Sequence, residues 1–296
     1  MKLIMARVFM SVGILSALLC SQHTLATISV IETVQREGQA GAAREGAQQK
    51  ARRIWEHAIA AKGGRESLYA VQNLVISTVG SYTTGSGKAN TVRTEAFFVF
   101  PNKAWSWVDL RPDVFGLTVE MFNFDSNTHY LITSDNSPPV RQTIPLTETS
   151  ASQTHSLLAY LLETKWLQPE LVNASTERIG RRTVDVVHTV LRNDVEGFTP
   201  ENKYIDFTFD QETHLPIRVS YYHQRGDIKV LDVAENLSDY TEVRGIKVPQ
   251  KSEVDGRVEK INIKINVLYN EDIFTKPPTV AAGPEQWKIV GERKRM

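Results

Sequence analysis

The sequence predicts a mainly β, α+β fold: a strongly curved antiparallel sheet forming a half-open barrel, with two main helices covering its concave face. Three observations lead there. From about residue 75 onward the chain is a series of alternating or β-branched runs separated by turn signals, the period-two pattern of strands. No βαβ rhythm interrupts them, so the strands pair in near-sequential antiparallel order. Only two stretches carry a helical apolar stripe, and an antiparallel sheet this long must curl and bury one face under whatever helices exist.

The first 26 residues read as a secretory signal: Lys2 and Arg7, an uncharged run from Val8 to Cys20, then Thr24-Leu25-Ala26 with cleavage expected after Ala26. The apolar core, about a dozen residues, falls short of the roughly 20 a membrane helix needs. A lipid anchor on Cys20 is the competing reading, and Leu19, a large residue directly before it, disfavours this. With Cys20 removed, the mature chain has no thiol and no disulfide. The 34 basic and 34 acidic residues include Lys2 and Arg7, so the mature protein is near-neutral and slightly acidic. Such a balance offers no footprint for nucleic acid.

Residues 27–46 mix Gly38, Gly41 and Gly46 with alanines and charges and read as a loose lead-in. From Gln48 a helical stripe begins: Ala51, Ile54, Trp55, Ala58 and Ile59 share a face, while Arg52, Arg53, Glu56 and Lys62 are expected to look away. Gly63-Gly64 supplies its stop, and a short helical turn follows over Glu66 to Ala70. Strands are then expected at Val75–Tyr82, Thr91–Phe100, Trp105–Leu110, Phe115–Phe124 and His129–Thr133, the first two forming a hairpin around Thr84-Gly85-Ser86-Gly87. A second amphipathic helix spans Thr147 to Trp166, with Leu157, Leu158, Leu161, Leu162 and Trp166 on its stripe. Strands resume at Arg182–Leu191, Tyr204–Phe209, Ile217–Tyr222, Ile228–Ala234, Ile246–Val254 and Glu259–Leu268. In two of them Ile205, Phe207 and Phe209, and Ile261, Ile263, Ile265 and Val267, alternate with polar residues, so one face is apolar and the other wet. The domain organisation is a signal at 1–26, a lead-in at 27–46, one folded domain at 47–278 and a tail at 279–296 ending in Arg293-Lys294-Arg295.

An incompletely filled concave face would make an apolar cavity for a small molecule or lipid. Its expected lining is Phe98, Phe100, Trp105, Trp107, Phe115, Met121, Leu158, Leu162, Phe207, Phe209, Ile263 and Ile265; a normal packed core is the alternative for each. The histidines show no metal-ligand spacing, and no phosphate loop, nucleophile elbow or cysteine–histidine pair is present. No cofactor or metal is implied, and catalysis would rest on His188 with a carboxylate neighbour. Asp206 and Asp210 alternate with apolar residues and are read as solvent-facing.

Five landmarks in order resemble the periplasmic lipoprotein-carrier superfamily, that of LolA/LolB-like and outer-membrane lipoprotein-sorting proteins. They are Ala61-Lys62-Gly63-Gly64 running to Leu68–Ser77; Phe100-Pro101-Asn102-Lys103; Phe209-Asp210 through Leu215-Pro216-Ile217-Arg218; Tyr240 with Gly245-Ile246-Lys247-Val248-Pro249; and Asn270 to Pro277. Together they span Gln48 to Pro278. The resemblance implies a curved sheet around covering helices, an apolar cavity for acyl chains, and no catalysis. It also implies lipid or a lipidated protein as ligand, an envelope protein as a further partner, and membrane contact that is transient at most.

Overall fold

The structure is a computed structural model that describes residues 30–83, 87, 89–111, 116–126, 128–133, 140–142, 157–191, 204–225, 227–278 and 283–289. The expected export signal and the basic end of the tail lie outside the described residues. The strands are β1 (Asn73–Thr83), β2 (Ala89–Val99), β3 (Lys103–Asp109), β4 (Leu117–Asn123), β5 (Thr128–Thr133), β6 (Val140–Gln142), β7 (Glu170–Ile179), β8 (Arg182–Val190), β9 (Tyr204–Asp210), β10 (Pro216–Arg225), β11 (Ile228–Val243), β12 (Ile246–Val254) and β13 (Arg257–Ile265). They form one 13-stranded antiparallel sheet in the order β6-β5-β4-β3-β2-β1-β13-β12-β11-β10-β9-β8-β7.

Two meanders therefore meet at β1 and β13, which pair from Leu74↔Ile265 to Gly80↔Glu259. Within each meander, β1 to β6 and β7 to β13, strands adjacent in sequence are adjacent in space, as short antiparallel connections dictate. The sheet is curved and does not close, because β6 and β7 end it on opposite sides. Its expected architecture, a half-open barrel, is what the chain forms.

β7 carries Asn173, Ser175, Thr176 and Glu177, too polar to read as a strand; it is an edge strand largely exposed to water. β11 runs nine residues past its expected end at Ala234, through the polar run Glu235–Val243.

Helix α1 (Val30–Lys62) begins well before Gln48, so the backbone expected as a loose lead-in is helical from Val30. Glu32, Gln35, Arg36, Ala40, Ala42 and Ala43 favour helix although they form no apolar stripe. Ala51, Ile54, Trp55, Ala58 and Ile59 are buried, as their spacing predicts. Lys62 is a correction: instead of facing water it is fully buried. The glycines end the helix as expected, with φ of 124° at Gly63 and 88° at Gly64, and Gly64 N–H donates to Ile59 O. α2 (Arg65–Tyr69) follows.

The second helix ends before its stripe predicts. Residues 157–161 form α3; Thr147 to Ser156 lie outside the described residues. Leu162 adopts φ 69° while its N–H still donates to Leu158 O, a left-handed cap that ends the helix four residues before Trp166. The stripe itself is buried at Leu157, Leu158, Leu161 and Leu162, whereas Trp166 is 38% exposed.

α1 lies along β7, β8 and β12, and α3 joins it on the same side. Their apolar faces and residues from β1, β2, β4, β8–β10, β12 and β13 make one core cluster, so the sheet wraps around the helices and this is its concave face. A second cluster sits on the convex face, where Val75, Phe97, Trp105, Trp107, Val119 and Met121 are covered by Ile273 and Phe274 of a 3-10 turn (Glu271–Phe274) and by Trp287. Trp287, beyond the expected domain end at 278, is 3% exposed.

A Cβ on Gly63 would stand 1.9 Å from the Gly245 carbonyl oxygen in the β11–β12 turn, whereas one on Gly64 meets nothing within 4 Å. Gly63→Ala should therefore cost more than about 3 kcal/mol of stability in urea unfolding, and Gly64→Ala only the roughly 1–2 kcal/mol of its backbone strain.

Candidate functional site

Because side chains directly opposite one another in a ladder share a face, the strand registers write out the concave surface row by row. One row is Ile265, Leu74, Phe98, Ala104, Phe122 and His129. The next is Ile263, Ile76, Ala96, Ser106, Glu120 and Leu131. The third is Ile261, Thr78, Thr94, Val108, Thr118 and Thr133. The branched aliphatic side chains that predominate on β13 and β1 thus give way on β2 to β5 to a mixture, in which small and hydroxylated residues stand among Phe98, Phe122, Glu120 and His129. Ala96 and Ser106, in mid-sheet, are only half-buried.

The expected lining residues divide between the two faces. Phe98, Leu158, Leu162, Phe207, Phe209, Ile263 and Ile265 belong to the concave cluster, and Phe100 packs against it while stacking on Trp166 at 5.4 Å. Trp105, Trp107 and Met121 lie on the convex face under the C-terminal segment, so they do not line the same space. Phe115 is outside the described residues. The division follows from parity: Trp105 and Trp107 stand opposite Phe97 and Glu95, one residue out of phase with Phe98.

Helix α3 and the residues after it are tied to the rest by polar bonds within this apolar setting. Lys62 Nζ donates to the Tyr160 carbonyl and lies 5.3 Å over the Tyr240 ring. Tyr160 Oη donates to Glu235 Oε1 at 2.9 Å. Glu163 accepts from Trp55 Nε1 and from Arg65 Nε, both at 2.8 Å, and Arg65 also forks onto Glu56. Burial pushes the Lys62 ammonium down to about 7. Burial likewise pushes the Glu235 carboxyl up to about 7, against the opposing hydrogen bonds from Tyr160 and Ser252. No pattern in the sequence marks either: Lys62 sits at a helix end, and Glu235 lies in a polar run.

Two side chains further along the concave face form a buried pair. His129 Nε2 and Glu120 Oε1 are 2.9 Å apart, the residues are 2% and 3% exposed, and the imidazole stacks on Phe122 at 4.2 Å. Glu120 Oε2 and His129 Nδ1 have no hydrogen-bond partner among the described residues.

His188 does have a carboxylate neighbour: its Nδ1 lies 2.7 Å from Asp206 Oδ1. In the ladder Asp206 stands between His188 and Ser220. A serine nucleophile needs the imidazole, not the carboxylate, beside its hydroxyl, so this row lacks the order for acyl transfer.

On the convex side an open groove of about 630 Å³ is lined by Val79, Trp107 and Leu117 together with Arg93, Asp109 and Arg111. Arg111 grips Asp109 through two 2.8 Å bonds. Its mixed, charge-balanced walls suit a polar ligand better than an acyl chain.

The sequence matches no family model and no curated relative. Among solved structures the chain is similar to a LolA superfamily protein of Nitrosomonas europaea, at 12% identity and a TM-score of 0.47, covering 76% of this chain and 97% of that one. It is similar to a DUF1329 family protein of Desulfovibrio piger at 13% identity and a TM-score of 0.47, covering 78% and 96%. An outer membrane lipoprotein-sorting protein domain of Vibrio parahaemolyticus follows, at 9% identity and a TM-score of 0.44, covering 77% and 97%. The first and third carry the name of the superfamily that the sequence landmarks resemble.

The two shifted groups make a signed prediction. An unfolded lysine titrates at 10.5, so between pH 7 and 10.5 the unfolded chain binds more protons than the folded one and Lys62 makes stability rise with pH. An unfolded glutamate titrates at 4.5, so between pH 4.5 and 7 the folded chain keeps a proton the unfolded one has lost and Glu235 makes stability fall with rising pH. Thermal melts from pH 5 to 10 should show Lys62→Met flattening the upper limb and Glu235→Gln the lower, each by on the order of 3 kcal/mol.

Proposed function

We propose that this protein is an exported, periplasmic, non-catalytic carrier that takes up acyl chains of lipid or of a lipidated protein against the concave face of its sheet. The observation that carries the reading is the contrast across that face. α1 covers β7, β8 and β12, while on β2 to β4 Ala104 stands between Phe98 and Phe122 and the next row holds the half-buried Ala96 and Ser106, small side chains beside aromatic ones. A long acyl chain laid there would bury apolar surface at roughly 0.8 kcal/mol per methylene, enough to bind after the cost of ordering it.

The expected export signal and the order of landmarks from Gln48 to Pro278 support the same reading. No helix of the described residues is long and apolar enough to cross a membrane. An envelope protein that delivers or receives the ligand is the natural partner.

A second reading, an envelope interaction module with a solidly packed sheet, draws on the near-complete burial of Leu74, Ile265, Phe207, Phe209 and Leu158. Native mass spectrometry of gently purified mature protein separates the two. The carrier arrives with co-purified lipid and binds a pyrenyl fatty-acyl probe; a protein that is ligand-free in every preparation and ignores the probe would leave only the module.

A further inference from the structure

We infer that the Glu120–His129 pair on β4 and β5 is the head-group site of the bound amphiphile, and that it selects a hydrogen-bond-donating head, a hydroxyl or an amine, over an anionic one. The inference rests on the carrier reading above and names the ligand class for it.

Both residues project from the concave face, since Glu120 stands opposite Ser106 and His129 opposite Phe122 in the ladders. The position beside the carboxylate is held by the half-buried Ser106 and Ala96, whereas the preceding row at the same strands carries Phe122 and Phe98. The acyl-chain surface therefore ends beside a buried acid and a buried imidazole.

One oxygen of Glu120 is engaged by His129 at 2.9 Å and the other has no partner among the described residues; one nitrogen of His129 is engaged and the other has none among them. Buried carboxylates and imidazoles ordinarily fill their hydrogen-bonding positions, and an unfilled acceptor away from water is costly. In the neutral tautomer of His129 that donates Nε2–H to Oε1, the one assigned to the pair, both unfilled atoms, Oε2 and Nδ1, are acceptors. The group that completes them brings O–H or N–H. A fatty-acid carboxylate or a phosphate would instead set an anion against a buried carboxylate, which low-dielectric surroundings penalise.

The hydroxyl could belong to a glycerol or a long-chain alcohol and the amine to a long-chain base; all share the donor chemistry. A pyrenyl alkane without a head group is bound to the full mature protein and displaced with a long-chain alcohol, a monoacylglycerol, a long-chain amine and a fatty acid of equal chain length. The wild-type protein should release the probe to the three donor heads at concentrations about tenfold lower than to the fatty acid. Glu120→Gln, which keeps the shape but adds a donor, should bring the fatty acid level with them. His129→Gln serves as the second variant, and thermal melts of both report folding.

Equal displacement by all four ligands, preference for the fatty acid, or a donor preference that survives in a folded variant would overturn the assignment and leave the carrier reading standing. If neither variant folds, the wild-type order of displacement decides. A wild-type protein that never binds the headless probe would remove the carrier reading and this one with it.

Discussion

The fold depends on one ladder, that between β1 and β13. Seven residue pairs from Leu74↔Ile265 to Gly80↔Glu259 join a meander made by the first half of the sheet to one made by the second. Either half alone would present an open strand along its middle. Once joined, the two leave β6 and β7 on opposite edges of one sheet, and the chain between Gln142 and Glu170 has to travel from edge to edge. Of that crossing, the described residues include α3, which is buried against the concave face. The apolar run from Leu157 to Leu162 is thus a consequence of topology: a segment forced across an apolar surface has to be apolar itself.

That crossing is also where the polar groups gather. Lys62, Tyr160, Glu163 and Glu235 exchange bonds across α1, α3 and β11 in surroundings that would otherwise be hydrocarbon. Such ties fix where α3 sits, which apolar contact alone, being non-directional, does not do. They also hold charge where charge is disfavoured, so the segment that covers the concave face is fastened by groups whose ionisation changes near neutral pH. The convex face is sealed differently: Glu95 accepts from Trp287 Nε1, from Glu285 N–H and from Ser77 Oγ, fastening the C-terminal segment over Phe97, Trp105 and Met121.

Most strands were legible from alternation, and Ile205, Phe207, Phe209, Ile261, Ile263 and Ile265 face the core as their period demands. The aromatic middle section was harder to place. Ala96-Phe97-Phe98-Val99 is apolar at both parities, because Phe98 joins the concave cluster while Phe97 lies under the C-terminal segment on the other face, so alternation could not say which aromatics share a surface. Trp105, Trp107 and Met121 went to the convex side for that reason. The end of the second helix was placed too late because a stripe records which side is apolar and not where a residue such as Leu162 turns left-handed. Lys62, Glu120 and His129 left no signal at all: a buried charged residue reads in sequence like a solvated one, and their partners lie on other elements. His188 and Asp206, which sequence did bring to notice, meet in a row whose order does not suit acyl transfer by a serine.

The central claim is that an acyl chain lies on the concave face over β2 to β5. Paramagnetic broadening by a fatty acid spin-labelled along its chain, read on assigned side-chain resonances, tests it most directly. The account predicts strong broadening of the Ala96 and Ala104 methyl groups and none at the Trp105 and Trp107 indoles across the sheet. Broadening centred on those indoles, or on neither set, would contradict it.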